Sequence, residues 1–290
     1  MKMSEPPEVS IPEILGQIDG ILKRRRDANN HRSPQPVSDP ASAFMMTHAL
    51  GQARGTTVLA LEFADGIIAA GDRLTVEGYG SVFSRDTVKL VDVETNAVLA
   101  CCGYSSFAQD VEEDLCHICN IISSKIKRPV SLEGKCNLLT DIIKANATMP
   151  PWYAFLWLPF GAILAGYDRH SGKKIYALDS TGGKYQFDWY FADGSGGKSA
   201  KTYLIQNFQR NMKWEDAVGI AIGAIRAAGM TETTVSHPTG DPPPTVKIIT
   251  KNGITTLSER EIEKYCTQLF RSEEKYLNAN LQTQRTKGGL

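Results

Sequence analysis

No stretch of about 18 uninterrupted apolar residues occurs in this 290-residue chain, so no membrane-crossing helix is expected. Its most apolar segment, Pro150 to Ala165, is broken by Pro151, Pro159 and Gly161. Net charge is also missing. The 32 Lys and Arg residues balance 32 Asp and Glu, which disfavours a nucleic-acid coat or a membrane-surface role and leaves little repulsion against self-association. Six cysteines are too few for a disulfide scaffold and fit a cytoplasmic chain with reduced thiols. Residues 1–10 carry Glu5 and Glu8 and no apolar h-region, so a secretory signal is not expected. No repeat at a solenoid period is visible. What remains is ordinary globular composition, 42% hydrophobic and 22% charged, which excludes wholesale disorder. The length suits one or two domains of roughly 150 residues each.

The pattern changes near residue 55. Before it, Ile11, Ile14, Leu15, Ile18, Ile21 and Leu22 recur at helical spacing. The basic run Lys23 to Arg26 follows and reads as a solvated helix end, and Asp27 to Ser42 reads as linker. Beyond Gly55 the elements are dense. Thr57–Phe63 and Ile67–Asp72 are strands joined by the tight turn Asp65-Gly66. Val88–Val93 and Ala97–Gly103 form a second pair. Helices are expected over Phe107–Lys125 and Ser131–Ala147, then strands over Ala162–Asp168, Lys174–Asp179 and Tyr185–Ala192. Helices over Ser199–Met212 and Trp214–Ala228, a strand over Thr245–Thr250 and a helix from Glu259 into a polar tail complete the order. Strands and helices come in segregated runs. That favours an α+β arrangement, two antiparallel sheets between helix pairs, over a doubly wound fold.

Four short motifs carry chemistry. Gly55-Thr56-Thr57 stands at the abrupt start of the dense region. A strand-opening Thr is usually structural. A threonine exposed as a new N-terminus, however, brings its own base, an α-amine with a pKa of about 7.7–8.0. Glycine before it suits a cleavage point where the backbone must distort. Gly71-Asp72-Arg73 closes the second strand, and its Asp either forms a turn or orients a cation. Lys89 would normally face solvent. Turned inward against Asp72, it would keep a nearby amine neutral and polarise a nucleophile. Gly103, ending a strand, is either a turn glycine or the donor of a backbone N–H to an oxyanion.

Taken with Leu164-Ala165-Gly166-Tyr167-Asp168, Asp179-Ser180-Thr181-Gly182-Gly183 and Gly194-Ser195-Gly196, these motifs resemble the β-type subunits of the 20S proteasome, most of all the bacterial, actinobacterial type. The resemblance runs from about Thr56 to Gly253 and is specific as a set. It implies the N-terminal nucleophile hydrolase fold, a four-layer αββα sandwich. The implied divisions are a propeptide over 1–55, a peptidase domain over 56–257 and a C-terminal helix and tail over 258–290. It implies cleavage between Gly55 and Thr56, with Thr56 as nucleophile and its freed amine as base. Asp72 and Lys89 would tune the charge, the Gly103 N–H would support the oxyanion, and Ser195 would hold the amine. Thr75, Thr87, Val91, Cys101, Ser105 and Gln109 would line the substrate pocket. Thr75, Cys101 and Ser105 suggest a small, fairly apolar pocket with no fixed charge. No metal or cofactor is implied. The implied partners are further copies in a stacked heptameric ring, α-type subunits, a regulatory ATPase or other activator, and protein substrates.

The pattern also departs from the family. The spacing from Asp72 to Lys89 is one residue longer than usual, and the family's second Asp is missing from Met230 to Ser236. Glu232 is the substitute expected here, with Ser236 as the alternative. Rival readings are an N-terminal nucleophile amidase for small amides, a stand-alone or ATPase-coupled peptidase and a catalytically weak structural subunit. A nucleotide binder would instead use Ala192 to Ser199 as a relaxed P-loop, and Cys116-His117-Ile118-Cys119 reads better as packed thiols than as half a zinc site.

Overall fold

The computed structural model describes residues 11–32, 55–77, 81–146, 160–169, 171–237, 241–269 and 271. Two five-stranded antiparallel sheets lie face to face. The first has the order β10-β1-β2-β11-β12, built from β1 (Thr57–Phe63), β2 (Gly66–Gly71), β10 (Tyr190–Gly194), β11 (Thr245–Thr250) and β12 (Gly253–Thr256). The second has the order β5-β6-β7-β8-β9, from β5 (Leu90–Val93), β6 (Ala97–Gly103), β7 (Phe160–Asp168), β8 (Gly172–Asp179) and β9 (Lys184–Phe187). A small hairpin, β3 (Thr75–Glu77) with β4 (Ser81–Ser84), stands apart.

The layers follow from the two-residue period of a strand. In β1, Val58 and Ala60 face the opposite sheet, whereas Leu59, Leu61 and Phe63 face helices α4 (Gly197–Asn207) and α5 (Trp214–Thr231). In β6, Val98, Ala100 and Cys102 face between the sheets. Leu99 and Cys101 face α2 (Ser105–Ile126) and α3 (Leu132–Asn146). The core between the sheets is rich in alanine (Ala60, Ala69, Ala100, Ala165), which lets them approach closely. The architecture is the four-layer α+β sandwich that the sequence implies.

Several elements differ from expectation. The strand expected over Tyr185–Ala192 is two strands in different sheets. The chain breaks at Asp188-Trp189, where Trp189 takes a φ of 74°, and crosses from β9 to β10. The helix expected to reach Met212 ends at Asn207. Strands β3, β4 and β12 were too short to signal themselves. The N-terminal helix α1 runs from Ile11 to Arg32, through the basic run and into the segment read as linker. Its Ile18 and Ile21 are buried against α2 and α3 of its own chain. Arg25 is no solvated end: it meets Asp110 at 2.8 Å, Asp114 at 3.1 Å and Glu113 at 3.9 Å. The C-terminal helix covers 259–269, and the expected tail from Ser272 lies outside the described residues.

Candidate active site

Strands β1, β2 and β6 end together at one edge of the sandwich. Antiparallel pairing sets Val58 opposite Gly71 and Thr57 opposite Gly194, so Thr56, Asp72 and Ser195 meet although up to 139 residues separate them. The segment before β5 carries Lys89 into the same place. The β3–β4 hairpin lies in the chain between Asp72 and Lys89.

Asp72 is fully buried and satisfied on every side. Its Oδ1 accepts from the Thr57 amide at 2.7 Å and from Lys89 Nζ at 2.8 Å. Its Oδ2 accepts from the Leu74 amide at 3.1 Å, the Ser236 amide at 3.2 Å and Ser236 Oγ at 3.4 Å. Lys89 Nζ also donates to the Leu74 carbonyl and, at 2.7 Å, to the Gly55 carbonyl. Burial lowers the Lys89 pKa, opposed by the Asp72 charge. The result is a cation held by three acceptors and aimed at the peptide bond that precedes Thr56.

Thr56 Oγ1 donates to that same Gly55 oxygen at 2.6 Å. A hydroxyl and a cation therefore converge on one carbonyl oxygen, an arrangement that would polarise that carbonyl. Gly55 allows it: a Cβ there would strike the Thr234 carbonyl and the Val76 side chain. On the other side of Thr56, its amide donates to Ser195 Oγ at 3.3 Å, Ser195 Oγ donates back to the Thr56 carbonyl at 3.3 Å, and Thr234 Oγ1 donates to Ser195 at 3.1 Å. Gly194, with a φ of 94°, lies where a Cβ would strike the Thr56 carbonyl. Gly103 has a φ of 111° and lines the cleft.

The cleft has a volume of about 100 Å³, room for one side chain rather than a whole small molecule. Thr75, Thr87, Cys101, Ser105 and Gln109 line it together with Thr56 and Lys89, and Thr75 Oγ1 donates to Thr87 Oγ1 at 2.8 Å. Val91 does not: it lies in β5, paired with Leu99 of β6, two residues and about 7 Å further along the chain than Lys89. Val88 and Glu112, which the sequence did not single out, do line the cleft. Glu232 also stands elsewhere. It caps the C-terminus of α5, and its side chain makes no hydrogen bond or ion pair among the described residues. The chain turns after it, so the position beside Asp72 falls to Ser236 and the one beside Ser195 to Thr234. Ser236 is the alternative named from the sequence; for Thr234 the run of hydroxyls from Thr231 to Ser236 was the available signal.

The P-loop reading loses its space. Gly194 and Gly196 pack on Thr56 and Thr57, and Lys198 is exposed. Cys119 is buried inside α2, and Cys116 Sγ donates to the Asp92 carbonyl at 3.8 Å. No group of three His, Cys, Asp or Glu residues placed to hold a metal occurs among the described residues.

A family model described as "Proteasome subunit" matches residues 53–237. A proteasome subunit beta of Frankia casuarinae is 29% identical over 229 residues, covering 75% of this chain and 79% of its own. Proteasome subunit beta 1 of Streptomyces avermitilis is 30% identical over 224 residues, with 72% and 74% covered. A proteasome subunit beta of the more distant Methanosphaerula palustris is 26% identical over 212 residues, with 73% and 94% covered.

Proposed function

The chain belongs to the proteasome subunit family, and from that membership we propose that it is a threonine peptidase subunit made as a precursor and cut at Gly55–Thr56. The observation that carries this reading is the convergence of Thr56 Oγ1 and Lys89 Nζ on the Gly55 carbonyl, with Asp72 behind Lys89. In self-cleavage, Oγ1 adds to the Gly55 carbonyl carbon while the Lys89 ammonium takes the growing oxyanion charge. The C–N bond then breaks, and the hydroxyl proton ends on the departing Thr56 amine. Water hydrolyses the ester and releases the segment Met1–Gly55 as a carboxylic acid. The freed amine stays beside Ser195 and serves as base in later rounds, in which the substrate's acyl group takes the place of Gly55 and the Gly103 N–H supports the oxyanion.

An unselective peptidase has to be secluded from its cell, which suits a cytoplasmic particle of stacked β rings with α-type rings and an activator at the ends. The balanced charge and six free thiols agree with that setting. A second reading, a structural subunit with little activity, is favoured by the hydroxyls of Thr234 and Ser236 where the family carries a carboxylate. Peptide hydrolysis by the assembled particle, alone and with Thr56→Ala, separates the two. Turnover that vanishes with Thr56→Ala supports the peptidase. An assembled wild-type particle that cuts neither fluorogenic peptides nor casein overturns it.

A further inference from the structure

Helix α2 forms one wall of the cleft, and its two polar faces are treated differently. Asp110, Glu113 and Asp114 turn toward α1 and share the guanidinium of its Arg25, Asp114 being buried there. Ser105, Gln109 and Glu112 recur at helical spacing on the face turned to the cleft. Glu112 is thus the acidic residue of this helix segment that has no cation: it makes no ion pair among the described residues. Beside it in the cleft lining is the Cys101 thiol, a weak donor on β6. Lys89, the cation lining the same cleft, is committed to Asp72, Leu74 and Gly55.

A partly buried carboxylate with one weak donor is an incomplete site. An apolar side chain entering the cleft would strip its remaining water and leave it unpaired, which is costly. A guanidinium or ammonium would replace the thiol contact with a charge-assisted bond roughly twice as strong as a neutral one. Resting on the peptidase reading above, we infer that Glu112 determines specificity, and that the cleft takes a cationic side chain, Arg or Lys, on the residue preceding the cleaved bond. The expectation of an apolar pocket without fixed charge is thereby replaced.

The surroundings of Glu112 make the selection depend on pH. Burial pushes its pKa up to about 7; the Cys101 hydrogen bond opposes this and the Glu113 charge adds to it. The other titratable and charged groups nearby are Cys116 on α2, Cys102 on β6, and Lys89 ahead of β5; Arg25 reaches Glu113 from the far side of the helix. Below neutrality Glu112 carries its proton and the cleft tolerates uncharged side chains. Above neutrality it is ionised and selects cations.

The test uses the assembled particle from the full-length chain and peptides that differ only in the residue before the cleaved bond: Arg, Lys, Leu or Glu. The wild type should favour Arg over Leu in kcat/KM, and the ratio should rise at least fivefold from pH 6 to pH 8. Glu112→Gln should lower the ratio at pH 8 about tenfold and flatten its pH dependence. Glu112→Lys should shift preference toward Glu. A particle that prefers Leu at pH 8, or whose Arg-to-Leu ratio is the same in Glu112→Gln, overturns the assignment while leaving the peptidase reading intact. A particle that cuts none of the peptides overturns both.

Discussion

Asp72, buried behind Lys89, and Glu112, which lines the cleft, are surrounded in opposite ways. Asp72, on the sheet side, is fully buried and accepts from three amides, a hydroxyl and an ammonium. Glu112, on the helix side, is half-buried, makes no ion pair among the described residues and has the Cys101 thiol beside it. A carboxylate whose bonds are all made within the chain has nothing left to offer a ligand, so its work is to fix other groups. Here it fixes Lys89. A carboxylate left short of donors has its charge available to whatever enters. On the proposed reading the sheet edge would hold the chemistry and the helix wall the choice of substrate, and changes on the two sides should fail differently.

The sharpest way to break the contrast is Lys89→Met. It removes the cation that polarises the acyl carbonyl, so peptide turnover should fall about 1000-fold or more and Met1–Gly55 should stay attached. It also leaves Asp72 buried without its counter-charge, at a cost of about 3–5 kcal/mol, which should appear as a lower Tm. Full turnover in this variant would end the proposed role of Lys89. Glu112→Gln, by contrast, should move the preference among substrates and its pH dependence.

A finer test lies within residues 231–236. Ser236→Ala removes one hydroxyl from Asp72 but keeps the backbone donor. It should lower kcat about tenfold, corresponding to about 1.4 kcal/mol, with little change in KM. Glu232→Ala should leave kcat unchanged. The reverse pattern would restore Glu232 to the site. The smallest effect belongs to the outer face of α2. Arg25→Ala should cost the unprocessed chain about 1 kcal/mol at most, because its ion pairs are only partly buried. The cut enzyme, from which α1 has gone, should not respond at all. Matched melting curves of cut and uncut protein read this directly.

Much of the architecture could be read from the sequence because the alternation in β1 and β6 and the helical spacing in α2 and α3 are strong local signals. The break at Asp188-Trp189 could not, since neither residue punctuates a chain as Gly or Pro does. At the site, Thr56, Asp72, Lys89 and Ser195 stand out as short motifs, and the β1–β2 and β1–β10 pairing assembles them. Ser236 was the alternative the sequence offered, whereas Thr234 was hidden because backbone turns after α5, rather than residue type, decide which hydroxyl reaches which partner. Glu112 lies one helical step past Gln109 and was missed because the pocket residues were taken from a resemblance that stops there. Arg25 was misjudged because its acidic partners lie 85 to 89 residues away on α2.

The central claim is that Thr56 makes itself an N-terminus. Intact mass of the assembled particle, wild type beside Thr56→Ala, tests it most directly. The account predicts a wild-type chain beginning at Thr56 and a mutant still carrying Met1–Gly55. Two chains trimmed alike, or a wild type that cuts peptides while still full length, would contradict it.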